Sequence, residues 1–134
     1  MKSKPVLYWV TTVILALGVV SGGISQAAHN QDTIAGIMAL GYPLYFITVL
    51  GVWKVFGGLA ILIPRFPRVK EWAYAGIFFE MTGAALSHAV CGDLGASAFH
   101  LIAPLLFAIL AIVSWALRPE SRTLGVLFPA KVAG

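Results

Sequence analysis

The chain has 134 residues, 60% of them hydrophobic and 10% charged, with a formal net charge of +4 and a mean hydropathy of +0.92. A soluble domain carries about 25% charged residues, so this composition argues against a water-soluble fold. The single cysteine, Cys91, excludes an intrachain disulfide and any Cys-rich metal motif.

Four apolar stretches fill most of the sequence. Spans of about 20 residues would use roughly 80 positions and leave little for a soluble domain. The first predicted span covers residues 7–27, after Lys2, Lys4 and Pro5. Its start is signal-like, with Ser25, Gln26 and Ala27 as a small-residue cleavage site, but the apolar run exceeds a signal core of about 7–15 residues. A retained helix is therefore expected, with Gly18, Ser21, Gly22 and Ser25 as small packing residues. Residues 29–43 are less apolar and hold no Lys or Arg. They read as a short interfacial helix capped by Asp32, with Ile34, Ile37 and Met38 on one face.

The second span, 44–63, lies between Pro43 and Pro64. Residues 64–71 read as a stiff basic loop. The third span covers 72–90, a short glycine-containing turn follows, and the fourth span covers 97–117. Residues 1–118 thus form one four-span membrane domain, and 119–134 a short C-terminal tail. The fold class expected is all-α: an integral membrane four-helix bundle.

Lys2, Lys4, Arg65, Arg68, Lys70, Arg118, Arg122 and Lys131 fall on one side of this topology, and the two opposite loops hold no Lys or Arg. Cytoplasmic flanks are enriched in Lys and Arg, which puts both termini in the cytoplasm and the protein in the cytoplasmic or inner membrane, as a multi-pass chain. Basic clusters at span ends serve this purpose, so no nucleic-acid partner is expected. Tyr8, Trp9, Trp72, Tyr74 and Trp115 read as an aromatic belt at the cytoplasmic boundary, and Tyr42 and Tyr45 as one at the other.

Two opposite charges sit in mid-span, Lys54 and Glu80. Hydrocarbon cannot solvate them, so such residues face the bundle interior, pair, or line a polar path. Lys54 precedes Arg65 by a helical rise of about 16 Å, and Glu80 follows Lys70 by about 15 Å. Their helices run antiparallel, so the two side chains meet at mid-membrane. Gly51, Gly57 and Gly58 flank Lys54, and Gly76, Gly83 and Ala84 flank Glu80. Small residues there give either close helix contact or space for a ligand. The pair is either a structural ion pair that sets helix register or a working site: a proton carrier, a ligand anchor or a quinone headgroup contact.

The histidines His29, His88 and His100 fall toward the other side, in a layer with Asp32, Cys91 and Asp93. Glu80, Ala84, Ser87 and His88 form a helical stripe that continues the polar path outward. His88 and His100 should lie close together across the turn. Pro104 should kink the fourth helix at His100, because its ring clashes with the carbonyl four residues back. Facing histidines can hold haem or a metal, but no ligand spacing supports this. No metal site is assigned.

The runs Gly41-Tyr42-Pro43-x-Tyr45-Phe46 and Leu50-Gly51-x-x-Lys54-x-x-Gly57 recur in a known pattern. So do Pro64-Arg65-Phe66-Pro67, the run from Lys70 to Gly76, and Gly83-Ala84-x-x-Ser87-His88. In order and spacing, over about residues 5–118, the chain resembles the DoxX-like family of small four-helix membrane proteins. The resemblance implies that architecture and, through the family name, a link to quinone-associated redox chemistry. Three functions follow. One is a redox-associated component binding a quinone or similar apolar ligand near Lys54, Glu80, Ser87, His88 and His100. The second is a small proton-linked carrier or permease, and the third a non-catalytic accessory or scaffold protein. The lipid bilayer is the expected partner, together with further copies of the chain or a larger membrane complex. No cofactor other than a quinone is suggested, and the residues leave open whether the protein is an enzyme.

Overall fold

A computed structural model describes residues 3–91 and 99–119, with the backbone alone for Phe99 and His100. These residues form five helices and no strand: α1 (Ser3–Ala27), α2 (Gln31–Met38), α3 (Leu44–Leu62), α4 (Pro67–Cys91) and α5 (Phe99–Ala116). Residues 120–134, which include most of the expected tail, lie outside the described residues, as does the expected turn before α5.

Helix α1 carries Pro5 in its first turn, where a missing N–H costs nothing. It ends in a Schellman closure around His29, whose φ is +60°. The Asn30 amide donates to the Ser25 carbonyl at 2.9 Å, and the His29 amide to Gln26 at 3.2 Å. Asn30 then caps α2, its Oδ1 accepting from the Thr33 amide at 3.3 Å. The expected cap, Asp32, lies inside the first turn instead. The physical reason is the preceding closure, which leaves Asn30 with φ −58° and ψ 126° as the last non-helical residue. Gly41, at φ +99°, turns the chain into α3.

Pro43 is the N-cap of α3, and Ile63, extended before Pro64, ends it. The expected loop 64–71 is shorter in the structure, because Pro67 opens α4 as its first residue. Lys70, expected in that loop, has no exposed surface. Its ammonium donates to the Ala60 carbonyl at 2.6 Å and to the Ile63 carbonyl, closing the C-terminal end of α3. Helix α5 continues through Pro104.

The four long helices touch in a ring, α1 to α3, α3 to α4, α4 to α5 and α5 back to α1, and α2 rests against α1 and α3. The closest seam is α1 on α3. A Cβ on Gly23 would stand 2.6 Å from the Gly51 carbonyl oxygen, and one on Gly58 would stand 2.5 Å from the Val20 Cγ2. Gly23 is thus a tighter contact than the expected Ser21, which is exposed. Leu15, Ala16, Val19, Ile61, Tyr74, Ile77, Met81, Ala108 and Ala111 form the core. In hydrocarbon, small residues and dispersion hold such seams together, because apolar burial gains little there.

The outer surface is apolar. Val10, Ile14 and Leu17 on α1, Val49, Trp53 and Phe56 on α3, and Leu106 and Ile109 on α5 all point outward. Helices α1 and α3 are long and apolar enough to cross a membrane, and Leu101–Ala116 is a shorter apolar helix. Of the expected aromatic belt, Trp9, Trp72 and Trp115 are exposed, but Tyr8 and Tyr74 are buried. Tyr74 turns inward to a hydroxyl partner, Ser114, at 2.7 Å, whereas the buried Tyr8 hydroxyl has no hydrogen-bond partner among the described residues.

Candidate functional site

Lys54 and Glu80 meet as an ion pair across α3 and α4, Nζ to Oε1 at 3.1 Å, with side chains 10% and 18% exposed. Gly22 gives Lys54 room: a Cβ there would sit 3.3 Å from Nζ. The glycines around the pair divide into two kinds. Gly51 and Gly58 are pressed against α1, whereas Gly57, Gly76 and Gly83 face open space. Both outcomes expected of the small residues therefore occur on different faces of α3, while the α4 glycines are of the open kind.

The open space is substantial. A partly open cavity of about 620 Å³ has Lys54, Glu80, Ala84 and His88 in its walls, with Gln26 from α1, Tyr42 before α3, and Pro104 and Phe107 from α5. Small-molecule sites typically enclose about 300–1,000 Å³ with apolar walls and a few polar groups. A second hollow of about 430 Å³ lies between α3 and α4. Trp53, Phe56, Gly57, Trp72 and Gly76 line it, and it shares Leu50, Lys54 and Glu80 with the first. The ion pair thus stands in the walls of both.

The other site candidates are distributed around this centre. Glu80, Ala84 and His88 border the main cavity together, one helical turn apart. Ser87 does not line it. Its hydroxyl donates to the Gly83 carbonyl at 2.8 Å, so at 2.7 Å it accepts from the Tyr42 hydroxyl, itself in the cavity wall. His29 contacts Thr48 Oγ1 at 2.7 Å, joining the end of α1 to α3. The His100 side chain, and with it the expected contact to His88, lies outside the described residues, as does Asp93. Pro104 borders the cavity from within a continuous helix. Among the described residues, no group of three or more His, Cys, Asp or Glu could hold a metal.

Two features were not foreseen from the residues. Gln26, noted only as part of a cleavage-like triplet, is buried in the cavity wall. A lone amide near the end of an apolar span was its signal. The second is a polar layer in which Thr12 and Tyr74 both contact Ser114, at 2.5 and 2.7 Å. Nearby, Arg118 pairs with Glu71 at 2.5 Å, and Trp115 Nε1 donates to Glu71 at 2.8 Å. Hydroxyls and loop charges with no spacing rule gave no signal for this layer.

The family model for the DoxX-like family matches residues 10–114. The chain belongs to the DoxX-like family. Neither curated proteins nor solved structures contain a significant match. This DoxX-like protein is membrane-associated, in keeping with its family and its two long apolar helices.

Proposed function

We propose that this DoxX-like protein is a multi-pass component of the cytoplasmic membrane that binds a quinone or similar apolar ligand in a redox-associated role. Residues 1–118 act as one four-helix membrane domain with both termini in the cytoplasm, and 119–134 as its tail. Lys54, Glu80 and His88 form the polar end of the ligand site, with Ser87 and His100 supporting its outer side. The observation that carries this reading is the cavity of about 620 Å³, apolar over most of its wall, with the Lys54–Glu80 pair and His88 on one side. An apolar ring or chain fits such walls, and a polar head finds both charge signs and an imidazole.

Photolabelling of the reconstituted protein with an azido-benzoquinone tests this. Label should fall on α4 between residues 79 and 88 and be lost in Ala84→Phe, which fills the cavity. Label spread over the outward faces, unchanged by Ala84→Phe, would remove the reading. The topology has its own check. Starting from Cys91→Ser, a thiol reagent should reach Arg68→Cys only from the cytoplasmic side and Asp93→Cys only from the other.

A second reading, a proton-linked carrier, is favoured by one observation: the ion pair borders hollows on both of its sides. Breaking the pair would join them. Proton uptake by proteoliposomes that disappears in Glu80→Gln would favour the carrier over the quinone site.

A further inference from the structure

The lysines of the described helices differ in what surrounds them. Lys4 is exposed at the start of α1. Lys70 has no exposed surface and holds the Ala60 and Ile63 carbonyls. Lys54 lines both hollows, and its side chain keeps 10% of its surface exposed. Gly22 leaves one side of the ammonium without a side chain: a Cβ there would stand 3.3 Å from Nζ. Glu80 Oε1 stands 3.1 Å from the same Nζ. Lys54 is thus a primary amine in an apolar wall, beside its own proton acceptor. In such a wall an ion pair loses solvation, and the neutral amine–acid pair becomes accessible by moving one proton. The freed amine is a nucleophile toward carbonyl carbon.

We propose that Lys54 is a covalent capture site for an apolar aldehyde, held as a protonated Schiff base with Glu80 as its counter-ion. Nζ first passes a proton to Glu80 and then attacks the carbonyl carbon. A C–N bond forms, and the carbonyl oxygen becomes a hydroxyl by taking a second proton from the nitrogen. Glu80 returns its proton to that hydroxyl, the C–O bond breaks, and water leaves. Ammonium and aldehyde have become iminium and water, with nothing oxidised or reduced. The nitrogen keeps its positive charge opposite the Glu80 carboxylate. A neutral aldehyde therefore exchanges one ion pair for another, whereas a charged ligand would add an unbalanced charge to an apolar cavity. Phe46, Phe79 and Phe107 in the main cavity, and Trp53, Phe56 and Trp72 in the second, suit a long hydrocarbon or aromatic body behind the carbonyl. This site rests on the cavity of the reading above and not on its quinone.

The probe is 4-decylbenzaldehyde, added with sodium cyanoborohydride to the purified full chain in phosphatidylcholine nanodiscs. Hydride fixes an imine as a secondary amine, and peptide mass spectrometry locates it. Lys54 should be labelled about tenfold faster than Lys4, which has no cavity to hold the probe against it. That comparison is made within the native protein and needs no variant. Ala84→Phe should remove the Lys54 label while Lys4 keeps its own. Lys54→Arg retains the charge opposite Glu80 but forms no imine, so the intact mass should show one adduct fewer. Labelling of Lys54 no faster than of Lys4 overturns the capture site, as does a Lys54 label that survives Ala84→Phe. Azido-benzoquinone label that still falls on α4 would then leave the ligand cavity standing, with only the aldehyde chemistry removed. Failure of both probes removes the cavity as well.

Discussion

Thr12, Tyr74 and Ser114 close on one another at 2.5 and 2.7 Å, with Arg118 stacked 5.4 Å over the Tyr74 ring. Around Lys54 and Glu80 the same helices stand off and leave about 620 Å³. Both regions place polar side chains inside an apolar chain, so polarity does not distinguish them. Direct contact between side chains does. Thr12, Tyr74 and Ser114 touch across three helices in the first layer, whereas in the second the small Gly83, Ala84 and Ala103 leave space between Tyr42, Phe46, Phe79 and Phe107. Small residues on facing helices either bring backbones together, as at Gly23 and Gly51, or leave a void when larger neighbours hold the helices apart. The first layer is the more filled, with a smaller hollow of about 280 Å³ beside Glu71, Tyr74 and Trp115; it is suited to holding the helices, and the open one to holding a ligand.

Cutting the ion pair should have the largest effect on this contrast. Lys54→Met or Glu80→Gln alone should each cost about 3–5 kcal/mol, since each leaves a group in the wall without its partner. The double variant should cost less than the two single changes added together. Thermal melting of all four proteins, as a double-mutant cycle, measures the coupling. Zero coupling would mean that the centre gains nothing from the pair that Thr12, Tyr74 and Ser114 gain from theirs.

Ser114→Ala comes next. It leaves the hydroxyls of Thr12 and Tyr74 without their shared partner, for a cost of about 1–3 kcal/mol. Melting temperature should fall while ligand binding at the cavity stays unchanged. A loss of binding would show that the filled layer shapes the open one.

The glycines give the smallest and most direct comparison. Gly83→Ala meets nothing within 4 Å and should stabilise α4 by about 0.5–1 kcal/mol, the helix preference of alanine over glycine. Gly51→Ala would bring its Cβ 2.7 Å from the Gly23 carbonyl oxygen, so the same substitution should destabilise there. If both variants melt alike, the division between packed and open glycines is wrong.

Much of the architecture was legible in the residues. Apolar run length marked the long helices, and proline marked the start of α3. The rise of a helix put Lys54 and Glu80 at one depth on antiparallel neighbours, and they meet at 3.1 Å. Capping was less legible. Asn30 and Asp32 are both good caps by type, and only the chain reversal at His29 decides between them. Lys70 read as a loop cation, but its long stem reaches back to the last carbonyls of α3.

Sequence alone determined that this chain must be helical, apolar outside and polar at its centre. Hydrocarbon leaves a backbone no partner but itself, and leaves a charge no partner but another side chain. Only the tertiary structure decided which small residues close a seam and which open a cavity. It also decided which polar atoms are satisfied. Tyr74 and Glu71 find partners on α5 or beyond it. Gln26 Oε1 finds none. Whether an acceptor is met depends on the relative placement of helices far apart in the chain, and helical periodicity carries no information about that placement.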